Sequence, residues 1–543
     1  MEVVVIISVV ILPVILSLWK VRKTHYAKTT DDFFLANKTM DSSDFVNTTV
    51  SYGYQIAALS LFASWGYFYG FWTVWVPVFW LFGFYLLQWF NNTDRLTKFF
   101  NNHNGRTLHG FLADHYKSPL LGKLAAFASI LGLSGTAFFE AEFTSNVISN
   151  ATFQTNTNFW FLFLFLFFVF IVLAYILYGG LKTIVITNKA QLSFGFVFFN
   201  LFMNYLFIKI IQNGFVYTGM ILMVLSLLSV LVLNILYPKL NQLYPSSFLS
   251  KYSFTLSTSL IIYVVTFIYA VAFQTQTIIP LDSFSFFIKE QQFSNIFSLG
   301  GLSMVSLLLA NGLWQIVDVS TWQRFAAMKD ENIRKQEISK TLGFVGWYSS
   351  ITWFIAILFG MGLKYTGLNI SDAWTALLEF TNLLLNSNLW TDQLFVIILF
   401  FSMIFIMFST LDSIISVISY TTYFDVVTDK QKTLKGARIW TLVYTVVFLA
   451  LYYFVRLNVS TVDSILYTFY SFQLALFPAV LVMLLEKNVS KKAIISSIIF
   501  GFIGTFIPLY FNSDAINPYN SAAIFSVGFS LTALYIVNKL NSK

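Results

Sequence analysis

The chain has 543 residues, of which 57% are hydrophobic and 10% charged, with 63 Phe and no Cys. That composition, with a mean hydropathy of +0.73, excludes a soluble globular domain and describes an integral membrane protein. The net charge of +8 comes without any basic soluble module, which excludes nucleic acid as a partner, and the lack of cysteine excludes disulfides and thiolate metal sites.

At roughly 20 apolar residues per crossing, the sequence predicts about fifteen transmembrane helices. Their cores are 2–19, 44–69, 72–90, 119–148, 159–178, 183–210, 218–237, 254–275, 297–323, 342–363, 392–424, 439–455, 462–486, 493–511 and 520–538. The first is followed by KVRKTHYAK without a small-residue cleavage site, and reads as a retained helix. Lys and Arg concentrate at 20–28, 95–117, 324–340, 430–438, 487–492 and 539–543, whereas 149–158, 365–392 and 512–520 have none. By the positive-inside rule the N-terminus lies outside and the C-terminus in the cytoplasm, in a multi-pass plasma-membrane protein. His25, His103, His109 and His115 fall in predicted loops or at loop edges, with no metal-ligand or triad spacing, and nothing favours an enzyme.

Polar residues inside the apolar spans carry the functional signal, because within a bilayer they pair with a neighbouring helix or line a path. The segment MFSTLDSIISVISYTTYFD, Met407 to Asp425, is the densest case. DDFFLANKTM, YGGLKTIVITNKAQ and DVSTWQRFAAMKD precede it, and FPAVLVMLLEKNVSKKAIISSIIFG follows. In this order they resemble the sodium:solute symporter family, with its YFLAGRSL-type loop, GGL–VVWTD motif, NQ–QR–AAK motif and ST–DS helix.

The resemblance implies an all-α polytopic fold built on two inverted repeats of five helices, the first helix of each interrupted near the midplane. It divides the chain into an N-terminal extra helix and cytoplasmic loop (1–43), a first repeat (44–210), a two-helix insertion (211–296), a second repeat (297–486) and two C-terminal helices (487–543). The interrupted helices would be 44–69 and 297–323. It also implies a sodium site: backbone carbonyls of Ser51 and Tyr54, the carbonyl of Ile406, and the hydroxyls of Ser409 and Thr410. Five neutral oxygens suit a hard monovalent cation. The other reading of Ser409 and Thr410 is a bond back to the preceding helical turn. Asp412 is expected to hold its helix against neighbours, Ser413 and Ser416 to pack, and Asp425 to lie at the cytoplasmic end.

Several positions depart from the family pattern. Thr187-Asn188 replaces the usual Thr-Asp, and Lys189 follows, so one coupling ion is expected. Lys38 replaces the loop Arg, and Leu61 stands where Gly is common. Asp318 occupies the place of the Asn in the NQ pair, and its D-x-x-x-W-Q context resembles the urea-transporter branch.

A small polar organic solute is expected between the interrupted helices, facing Gln55, Ala58, Trp314, Asp318 and Gln473. Trp314 and Asp318 are four apart, a spacing that would place both on one side of a helical turn. Glu140 and Glu142 are further candidates. Three function classes follow: a sodium-driven symporter, a proton-driven or uncoupled carrier of the same fold for urea or a related amide, and a transporter-like sensor.

Overall fold

A computed structural model describes residues 3–22, 26–96, 106–153, 157–211, 300–328, 331–363, 370, 376–387, 389–427, 432–458, 462–510 and 518–541. Among them the regular structure is helical apart from a parallel bridge between Met40 and Met328. Nine of the described helical segments are long and apolar enough to cross a membrane. The expected spans 218–237 and 254–275 lie outside the described residues.

Helix α1 (Val3–Val21) precedes the short α2 (Thr30–Leu35), which forms inside an expected loop because Thr29 caps it, accepting the Asp32 N–H at 3.0 Å. The expected span 44–69 is two helices, α3 (Ser42–Tyr54) and α4 (Ile56–Tyr69), interrupted at Gln55. After α5 (Trp75–Asn92), another expected loop holds α6 (Leu108–His115), capped by Thr107, and then α7 (Pro119–Thr152) begins. The spans 159–178 and 183–210 form α8 (Thr157–Ile211), divided at Gly180, where φ is 59°. A Cβ there would lie 2.1 Å from the Phe33 carbonyl oxygen, so the GGL motif allows α8 to turn against α2.

The span 297–323 is also interrupted. Helix α9 (Gly300–Leu307) continues through a π-helical stretch, Leu308–Leu313, into α10 (Trp314–Val317), and α11 (Val319–Ala327) starts after the extended residue Asp318. Then come α12 (Glu331–Leu363), α13 (Ala376–Leu385) within the expected external segment, and α14 (Trp390–Thr421). Helix α15 (Leu434–Asn458) is followed by α16 (Val462–Leu474) and α17 (Phe477–Leu484), which share one expected span, and by α18 (Lys491–Tyr510) and α19 (Pro518–Asn541).

Helix α14 is almost wholly buried and packs along α7 and α8, whereas α15 and α19 keep apolar side chains exposed, as helices facing lipid do. Helices α4 and α12 approach closely through Gly66 and Gly360, where an added Cβ would lie 2.2 Å from the Ile357 oxygen and 1.6 Å from the Ala63 oxygen. Around their breaks the two interrupted helices pack against α7, α12, α14 and α16, and Gln55 and Asp318 are buried.

Candidate functional site

Gln55 takes φ 38° and ψ 95°, a conformation that costs a non-glycine residue on the order of 1–3 kcal/mol. The surroundings hold it there. Tyr470 on α16 donates its hydroxyl to Gln55 Oε1 at 3.0 Å. The amide groups freed at the start of α4 are caught by Glu140 of α7, whose two carboxylate oxygens accept from Ile56 N at 2.9 Å and Ala57 N at 3.1 Å. Ala58 N also points to this carboxylate, so Ala58 lies on the same first turn. Glu140, one of the two further candidates, is buried. Glu142, two residues on, is only half-buried.

The second interruption is closed by the same chemistry. Asp318 caps α11, accepting from Ser320 N at 3.1 Å, Thr321 N at 3.2 Å and the Thr321 hydroxyl at 2.7 Å, with the Tyr52 hydroxyl 3.4 Å away. The carbonyls released before the break are also met: Gln473 Nε2 donates to Val317 O at 2.7 Å and Trp322 Nε1 to Ile316 O at 2.9 Å. Trp314 donates its indole N–H to Gln473 Oε1 at 2.9 Å. The break comes at Asp318 itself, whose φ of -66° is helical and whose ψ of 99° is not, so the four-residue spacing from Trp314 runs along α10 while the Asp318 carboxylate is committed to capping α11.

Aromatic rings link the two breaks. Trp314 lies 5.2 Å from Tyr470 and 6.0 Å from Trp80, and Trp80 lies 4.2 Å from Trp353, centroid to centroid. Gln55 Nε2, Trp80 Nε1 and Trp353 Nε1 are buried without a hydrogen-bond partner. Buried donors of this kind call for an acceptor, since leaving one unmet costs about 1–3 kcal/mol.

The expected cation ligands meet where α3 runs beside α14. Ser409 Oγ lies 3.2 Å from the Ser51 carbonyl oxygen and 2.7 Å from that of Ile406, and Thr410 Oγ1 lies 3.2 Å from the same Ile406 oxygen. Each hydroxyl bonds back to the preceding turn, as the other reading of the Ser-Thr pair expects, and Ser409 also reaches across to α3. Tyr54 ends α3, and its hydroxyl is 2.6 Å from that of Thr352. Four of the five expected residues thus share one oxygen cluster.

Further along α14, Tyr175 of α8 donates to Asp412 Oδ2 at 2.7 Å, and Ser413 Oγ lies 3.2 Å from Oδ1. Asp412 thus ties α14 to α8. Asn188 Nδ2 is 3.5 Å from Ser413 Oγ, while Lys189 forms an ion pair with Asp44. That pairing offsets the charge of Lys189.

Sequence reading missed three groups. Arg324 is buried, donating to Ser320 Oγ and, at 3.1 Å, to Ser413 Oγ. Trp80 and Trp353 had only their residue type to mark them, which is a weak signal among 14 Trp. His109, read as a loop residue, is buried on α6, with Nδ1 2.9 Å from Asp425 Oδ2 and Nε2 2.9 Å from Ser129 Oγ. Asp425 also accepts the Thr107 hydroxyl at 2.6 Å, so it fastens α6 to the end of α14.

No family model matches the sequence, and no curated protein is significantly similar to it. The fold, however, is similar to a solved structure of a sodium-coupled sialic acid symporter in its substrate-bound, outward-open state. The TM-score is 0.65 at 11% identity, over 99% of this chain and 97% of that one. The chain therefore shares the polytopic helical fold of a sodium-coupled symporter.

Proposed function

We propose that the protein is a sodium-coupled secondary active transporter that imports a small polar organic solute across the plasma membrane by alternating access. The observation that carries this is the oxygen cluster of Ser51, Ile406, Ser409 and Thr410, formed at the carboxyl end of a broken half-helix. The hydroxyl of Ser409 has one proton and two carbonyl neighbours, so one oxygen–oxygen approach is left without a hydrogen atom between. A hard monovalent cation would satisfy that arrangement. Likeness to a sodium-coupled symporter supports the same reading.

The solute would lie between the breaks, against Gln55, Ala58, Trp314 and Gln473, with the free indole N–H groups of Trp80 and Trp353 offering further donors. Asp318 would act as a positioning residue through its cap on α11. Sodium at one subsite and solute at the next would each tighten the other's binding by the same factor.

The test is uptake into proteoliposomes under imposed sodium or proton gradients, over a panel of sugars, amino acids, carboxylates and urea. Sodium-driven accumulation is expected, and S409A/T410A should reduce sodium stimulation at least tenfold while leaving the protein inserted. Unchanged sodium stimulation in that double variant would remove the site assignment. A proton-driven or uncoupled carrier for urea or a related amide is the second reading, favoured by Asn188 standing where a carboxylate would recruit a further cation. Accumulation driven by a proton gradient and indifferent to sodium would establish it.

A further inference from the structure

The amino end of a half-helix inside a membrane carries unpaired N–H groups and a positive dipole end, which makes it a natural seat for an anion. Among the described residues, the amino ends of α4 and α11 face the core, and each is already filled by the protein's own carboxylate. Glu140 closes α4 with both oxygens, and Asp318 closes α11 with both oxygens. Both acids are buried.

The nearby buried cation, Arg324, is largely engaged by the protein's own groups, although its Nε has no hydrogen-bond partner. Arg324 is held by Ser320 and Ser413, covers the Tyr52 ring at 5.0 Å, and feels the charges of Asp318 and Asp412. Uncharged donors without a partner are the amide Nε2 of Gln55 itself and, along the ring series from Tyr470 through Trp314, the indole N–H groups of Trp80 and Trp353. Gln55 connects these two facts, since it is the residue that precedes α4 and its own amide has an unpartnered, buried donor.

We propose that Glu140 is a fixed internal anion at the amino end of α4, and that by occupying this position it restricts the transported solute to uncharged or cationic molecules bearing hydrogen-bond acceptors. The inference rests on the transport reading for its second half only. A solute carboxylate entering beside Gln55 would meet Glu140 at close range, while the Arg324 charge is already shared with Asp318 and Asp412. An uncharged carbonyl or hydroxyl oxygen would instead meet the open donors. Glu140 is thus a specificity-determining residue, and the solute class follows from it.

The anion position can be tested without knowing the solute. Thermal unfolding of the detergent-solubilised protein is followed with added acetate and with acetamide, its neutral counterpart. Glu140→Ala exposes the α4 amide groups, so acetate should raise its Tm by several degrees while acetamide does not, and wild type should respond to neither. Glu140→Gln keeps the shape and removes the charge. It should bind or transport an anionic probe at least tenfold better than wild type, with sialic acid used for that probe and galactose, urea and choline for the other classes.

Equal effects of acetate and acetamide on Glu140→Ala would overturn the anion assignment. So would a Gln variant identical to wild type in every readout, since the group would then be held as a neutral acid. Sodium-driven uptake of sialic acid by wild type, competed by an uncharged solute, would overturn the specificity claim. The acetate result without gradient-driven uptake of any probe would uphold the internal anion and defeat the transport reading instead.

Discussion

Asp318 and Glu140 are single residues that decide whether two chain breaks are tolerable in a membrane. Each neutralises N–H groups that lipid would leave unsatisfied at several kcal/mol apiece. Asp318→Ala should therefore lower thermal stability by about 1–3 kcal/mol through loss of the cap, while Asp318→Asn, which retains one acceptor oxygen, should lose less. Unfolding of the two variants in detergent checks the order. Equal stability of both to wild type would return Asp318 to the role of a direct solute ligand. Asp425, just beyond the end of α14, instead joins two elements, and Asp425→Ala would strand the buried His109 Nδ1 and the Thr107 hydroxyl. A loss of about 1–3 kcal/mol is expected, with earlier proteolysis of α6 than of the helices around it.

Among elements, α8 shows how one backbone position sets a helix direction. Its division at Gly180 follows from positive φ and from the Phe33 carbonyl oxygen that a Cβ would meet at 2.1 Å. Gly180→Ala should therefore be severely destabilising, read as lost expression or a Tm lowered by many degrees. Gly528→Ala on α19 is the control, since nothing lies within 4 Å of an added Cβ. It should be neutral or stabilising by up to about 1 kcal/mol, because Ala is the better helix former. Comparable loss in both variants would mean that the Gly180 bend is not specifically required.

For the whole molecule, the alternation of basic and base-free segments predicts the orientation. Cysteines at Thr155 and Asn517, both outside the described residues, should react with an impermeant thiol reagent applied from outside, whereas those at Thr29 and Ser490 should not. The cysteine-free parent gives no background. Reversed labelling would invert the assigned orientation and with it the direction of import.

Hydrophobic run length and the order of five short motifs determined a polytopic helical fold and drew Ser51, Ile406, Ser409 and Thr410 toward one place. Crossing a bilayer demands long apolar runs whatever their neighbours, so local sequence is enough for that much. The point of each break was not legible, because Gln55 and Asp318 leave helical geometry without proline or glycine at the break. Their conformations are held by Tyr470, Glu140 and Gln473, which reach them from other parts of the chain. The roles of Glu140, Arg324 and His109 were hidden for the same reason. A buried polar group is defined by the partners that satisfy it, and only tertiary packing brings those partners within hydrogen-bond distance.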